Sequence, residues 1–210
     1  LIAVLFFSCS GENELEVKIK SIPVNIVIDR FDLKFYNANP EEYIGLKKTY
    51  PYLFPAQYPD SIWIKRQRDS IQTLLHAEIK NIFPSLSPIK TDLEDLYKHI
   101  KYYFPKVLDP HVVTVVNNVD YQSKTVFTDS LLIISLDTYL GSKNPIYEGI
   151  PNYIVKDMGL PYMMAHIVDE LGNVVVKTPK DRTLIAQMIY YGKKLYIKDL
   201  LLPSSSDEIK

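Results

Sequence analysis

One thiol and four histidines are the side chains of this sequence best suited to chemistry, and only the thiol stands in a telling context. The eight residues before Cys9 carry no charge and end on the small Ser8; Ser10, Gly11, Glu12, Asn13 and Glu14 after it are small, polar or acidic. An apolar run that closes on a small residue and then Cys reads as the end of a lipoprotein signal peptide, its thiol alkylated by diacylglycerol. The run is too short to span a bilayer, which takes about 20 apolar residues. The expected organisation is therefore a signal-peptide remnant over 1–9 with Cys9 as the lipidated residue, and a polar tether over 10–22. A single globular domain over 23–210, cut short at its C-terminus, follows. The plainer alternative is a buried first strand with an incidental cysteine.

The remaining chemistry is sparse. His76, His99 and His111 fall on two helices and a strand start with no ligand spacing among them, and each reads as a surface or core residue. A lone Cys excludes an internal disulfide and a cysteine zinc cage. Neither a Gly-x-Ser-x-Gly elbow nor a glycine-rich phosphate loop occurs, the seven glycines being spread thin. Glu41, Glu42, Asp92, Glu94 and Asp95 sit at helix starts, where the helix dipole accounts for them. A net charge of −1 gives no basic face for nucleic acid. No later segment is long and apolar enough to cross a membrane. The 16 Tyr against one Trp place apolar area beside polar tips, which suits contact faces.

The elements that must position these residues are read from periodicity. Residues 24–32, 111–117 and 130–136 have the β-branched enrichment of strands. The run from Leu131 to Ile134 is nearly continuous apolar, which implies cover on both faces, and Val126 and Phe127 fall in the turn before it. Asn39, Pro40, Glu41 and Glu42 open a helix that runs to about Lys48. Residues 69–83 carry Ile71, Leu74, Leu75, Ile79 and Ile82 at helical spacing. Thr91 to Glu94 forms a capping-box pattern opening a helix to Phe104. A helix from Tyr162 to Leu171 closes at Gly172. Another runs from Thr183 to about Leu201, with Leu184, Ile185, Met188, Ile189, Leu195 and Tyr196 inward. The aromatic stretch Tyr50–Tyr58 is a connector packing its rings on the core, or else a binding lip. Lys193, Lys194, Lys198, Lys98 and Lys101 read as solvated helix faces.

Three motifs occur in order behind the lipobox-like Cys9: Tyr102-Tyr103-Phe104-Pro105, Leu136-Asp137-Thr138-Tyr139-Leu140-Gly141, and Met188 to Tyr196 with Tyr190-Tyr191-Gly192 at its centre. In these the chain resembles the gliding-motility lipoprotein family GldB over essentially its whole length, the family's C-terminal third being absent. The resemblance implies an outer-membrane lipoprotein acting in gliding motility, with links to type IX protein secretion. Its implied partners are the membrane, through the lipid, and other gliding or secretion proteins of the envelope, with no nucleic acid. The face of the membrane stays open.

The family is distantly similar to presumed zinc peptidases, whose His-Glu-x-x-His helix projects two imidazoles to one side with a Glu to polarise the metal-bound water. His166 would hold the first ligand position. Ile167 stands where the base belongs, Glu170 where the second His belongs, and Tyr191 where an acidic third ligand belongs. The bland alternative is a partly buried His166 paired with Glu170 one turn on. The expected fold is helix-rich α+β, a degenerate zincin-like domain with a small mixed sheet. No catalytic residue, metal or cofactor is expected. The competing readings are a lipid-anchored zinc peptidase with a diverged site, and a glycan- or peptide-binding envelope module.

Overall fold

The computed structural model describes residues 14–128 and 130–210. Its elements run α1 (Glu14–Lys20), β1 (Val27–Asp29), α2 (Phe31–Asn37), α3 (Pro40–Thr49), α4 (Asp60–Gln67), α5 (Ser70–Ile82), α6 (Ser87–Tyr103), β2 (His111–Val115), β3 (Thr125–Phe127), β4 (Leu131–Ser135), α7 (Asn152–Val155), α8 (Met163–Val175) and α9 (Leu184–Leu201). The four strands form one mixed sheet in the order β1-β2-β4-β3. β1, β2 and β4 are parallel, with His111 aligned to both Val27 and Leu131; β3 closes the edge antiparallel to β4. The α+β architecture with a small mixed sheet is as expected; β3, assigned to a turn, is a short strand.

Helices cover the sheet on both faces, and the pleat divides its residues accordingly. Val112, Leu132 and Ile134 enter the main core, with Leu75 and Ile79 of α5, Leu93, Leu96 and Ile100 of α6, and Ile167 and Leu171 of α8. Val113, with Val115 and Leu131 beside it, joins a smaller aromatic core with Phe31, Phe35, Tyr43, Tyr50 and Phe54. Phe54 stands edge-on to Trp63 at 5.2 Å and to Tyr43 at 5.6 Å, the favoured geometry for ring quadrupoles. The aromatic stretch therefore packs Tyr50 and Phe54 inward, while Tyr52 and Tyr58 stay exposed.

Local chemistry explains most boundaries. Asn39 caps α3 through its side chain, accepting from the Glu41 and Glu42 N–H groups at 2.9 Å, and Glu42 returns a bond to the Asn39 N–H. Asp69 caps α5. Two expected boundaries are corrected. α6 begins at Ser87, a turn before the capping-box pattern, with Pro88 in its first turn. Thr91 is thereby interior, donating to the Ser87 carbonyl at 3.2 Å, and the earlier start adds Ile89 to the buried face. α8 passes through Gly172 rather than ending there. A Cβ at Gly172 would meet Lys194 Cε at 3.3 Å, so this glycine admits α9. Within the span expected as tether, residues 14–20 form α1, and Ile19 is fully buried.

The largest correction is the rotation of α9. Its span, Leu184–Leu201 with Thr183 as N-cap, matches the expected Thr183 to Leu201 within a residue, but the six residues expected inward are exposed, from 55% for Ile189 to 77% for Leu184. Ile197 and Leu201 are its buried residues instead. α5 shows the same effect in part, with Ile71 and Leu74 exposed and Gln72 and His76 buried beside Leu75 and Ile79. Ile197→Ala should accordingly destabilise the protein by about 2–5 kcal/mol, and Ile189→Ala by less than about 0.5 kcal/mol. Urea denaturation of both variants checks this, and equal effects would mean that the rotation is wrong.

Candidate functional site

The motif Leu136–Gly141 follows β4 directly, and its side chains build the most buried polar centre among the described residues. Asp137, Thr138 and Tyr139 are at most 1% exposed. The Asp137 carboxylate accepts from the Asn117 N–H at 3.2 and 3.1 Å and from the Val119 N–H at 2.7 Å. This ties the end of β4 to the turn that leaves β2. In that turn Asn118 and Val119 hold φ of 62° and 57°, a region that a β-branched residue such as Val rarely enters. Gln72 of α5 donates to the Asn118 side-chain oxygen. Tyr147 threads the back of the motif, donating to the Asp137 carbonyl at 2.9 Å and accepting from the Leu140 N–H at 2.8 Å. Gly141, at φ 101°, turns the chain away and donates to the Met158 carbonyl at 3.0 Å; a side chain would be strained there.

Burial sets the protonation of this centre. It raises the Asp137 carboxyl, against the Val119 and Asn117 hydrogen bonds and the Arg66 charge that lower it. It also raises the Tyr139 and Tyr147 hydroxyls well above the usual phenol range. Tyr139 reaches α8, where its hydroxyl is 3.0 Å from Nδ1 of His166. Burial first, then the charges of Lys124 and Lys198, lower His166 to about 3. His166 is thus a neutral imidazole at physiological pH. With the Tyr139 proton in the shared bond, Nδ1 accepts and the ring's own proton sits on Nε2.

The remaining residues expected around a metal do not converge. Ile167, at the place of the base, is fully buried in the main core. Glu170 meets Asn173, whose amide donates at 3.4 Å, rather than forming the expected pair with His166. Its neighbour Asp169 is taken by Lys198 at 2.8 Å. Tyr191 is 59% exposed on α9 with its ring against Tyr190. No cluster of three or more His, Cys, Asp or Glu side chains arranged to hold a metal occurs among the described residues. Two lysines close enough to depress His166 also oppose a dication. The residues present do not fit a zinc ion. Cys9 lies outside the described residues.

Sequence reading assigned no role to Asp137 and Tyr139, although their motif carried the resemblance; the alternation of polar and large residues directly after an apolar strand was the signal. The structure defines a helix-rich α+β protein whose polar centre joins β2, β4 and α8. The chain belongs to the family of the gliding motility protein GldB, whose model matches residues 12–210. Membership in this lipoprotein-type family implies involvement in gliding motility and association with the envelope. No curated protein and no solved structure matches the chain. Among the described residues no helix is long and apolar enough to cross a membrane.

Proposed function

We propose that this protein is a non-catalytic, lipid-anchored lipoprotein of the outer membrane, attached through Cys9, that supports gliding motility and type IX secretion by docking another envelope protein. One observation carries the docking role. Leu184, Met188, Tyr191 and Leu195 lie at i, i+4, i+7 and i+11 on α9, and all four are exposed. Ile185, Ile189, Gly192 and Tyr196 repeat the same spacing beside them, and a Cβ at Gly192 would meet nothing within 4 Å. A double apolar stripe of this period accepts the stripe of a partner helix, and the glycine lets that helix approach. Exposed Arg182 and Lys193 beside it suit a partner with acidic flanks. A contiguous exposed patch of this size marks an interaction surface more often than an idle one.

The non-catalytic part rests on the buried Ile167, the Lys124 and Lys198 charges beside His166, and the Tyr139 bond on its ring. Three substitutions in intact cells test the reading. Cys9→Ala should abolish fatty-acid labelling and membrane retention. Ile189→Glu, which leaves the core alone, should abolish both motility and cross-linking to a partner. His166→Asn, a conservative change, should leave motility intact at an unchanged protein level. Motility lost with His166→Asn and kept with Ile189→Glu would reverse the reading in favour of an enzyme.

A further inference from the structure

At the C-terminal end of β2, residues of α2, α4 and α5 line a partly open cavity of about 150 Å³ that also reaches Asn117. A cavity of roughly this volume holds one benzene-sized body. Its apolar side is largely aromatic, with Phe31, Phe35, Phe54 and Trp63 beside Val115, and polar side chains complete the lining. Three polar groups on it are only partly used or unused. Arg66 donates from Nη2 to the Val116 carbonyl at 3.0 Å and faces the Trp63 ring at 6.0 Å. Among the described residues no carboxylate lies within ion-pair distance of its guanidinium, which has five N–H donors. The Trp63 Nε1–H is buried without an acceptor. His76, 5% exposed, has a buried Nδ1 without a partner, its ring stacked on Tyr36 at 4.0 Å.

Buried polar atoms without partners are uncommon in folded proteins, and two on one cavity beside an underused cation point to an occupant. Its chemistry follows from the inventory. Asp32, at the back, already accepts from Arg30 at 2.7 Å and from Thr114 at 2.5 Å, so the cavity offers no spare anion to hold a cation. Arg30 is committed to that same pair, which leaves Arg66 as the one cation available there among the described residues. A single guanidinium matches the two oxygens of a carboxylate, whereas a phosphate dianion would need further charge. The apolar walls require a hydrophobic body.

We infer that this cavity binds a small monocarboxylate with an aromatic or branched aliphatic body, its carboxylate held by Arg66 and the Trp63 N–H. Trp63 is the only tryptophan of the chain, so its fluorescence reports the site directly. Titrating the purified chain with benzoate or isovalerate should give a saturable change with a Kd of about 1 mM or tighter. Benzamide, of the same shape without the charge, should bind about tenfold or more weakly, and inorganic phosphate should not compete. Arg66→Gln should remove the response. Trp63→Phe, a milder change read by calorimetry, should weaken binding while the melting temperature stays close to that of the unaltered chain. Absence of saturation with either acid, equal binding of benzamide, competition by phosphate, or undiminished binding in both variants would overturn the assignment.

Discussion

Asp137→Ala should be among the most destabilising single changes in this protein, lowering stability by about 2–6 kcal/mol, since each of two buried main-chain donors left without an acceptor costs about 1–3 kcal/mol. Three N–H···O contacts from Asn117 and Val119 end on this carboxylate. Their loss leaves two main-chain donors unsatisfied in a region where water has little access. It also releases the restraint that holds Asn118 and Val119 at positive φ, a conformation that persists only when its surroundings over-determine it. Asp137→Asn keeps an acceptor oxygen and removes a charge that burial already disfavours, so it should cost distinctly less. Guanidinium denaturation with a check of the m-value separates the two. If the Ala and Asn variants were alike and both near the unaltered chain, the carboxylate would not be holding the turn.

What the sequence conveyed and what it withheld divide along physical lines. The strands at 27–29, 111–115 and 131–135 were legible because β-branched and apolar runs mark them directly. The Asn39 cap was legible because capping is local chemistry. α9 was rotated because its apolar residues outnumber its buried positions. Periodicity selects the richest stripe, and here that stripe faces outward while Ile197 and Leu201 face in. β3 escaped because three residues, with Val126 exposed, carry too little alternation. The polar interior was the least legible part. Asp32 is bonded to Thr114, Gln72 to Asn118 and Asp137 to Asn117, pairs brought together only by the tertiary fold. A polar residue whose partner lies 20 to 82 positions away looks like any surface residue in the sequence.

Buried His76 and half-buried His166 give the protein an acid sensitivity of calculable sign. His166 is lowered to about 3 and His76 to about 4, burial being the main cause in each. In the unfolded chain both return to the ordinary value of 6.5. Below that value the unfolded state takes up protons that the native state refuses, so stability is intact above pH 6.5 and falls as pH drops toward 4 and then 3. At pH 5 each histidine should contribute a loss of roughly 2 kcal/mol relative to pH 7.5, or about 4 kcal/mol together. Asp137 acts in the opposite sense over its own window, because its raised native carboxyl binds a proton more readily than the unfolded one. The slope of the parent protein therefore mixes both signs. Substitution separates them: His166→Asn retains a polar atom near the Tyr139 hydroxyl but cannot take up a proton, and His76→Asn does the same beside Tyr36. Each should reduce the loss between pH 7.5 and 5 by roughly 2 kcal/mol, measured as the shift in denaturation midpoint at both pH values. An undiminished loss in both variants would mean that the imidazoles titrate normally in the folded state, and that the burial deduced for them is wrong.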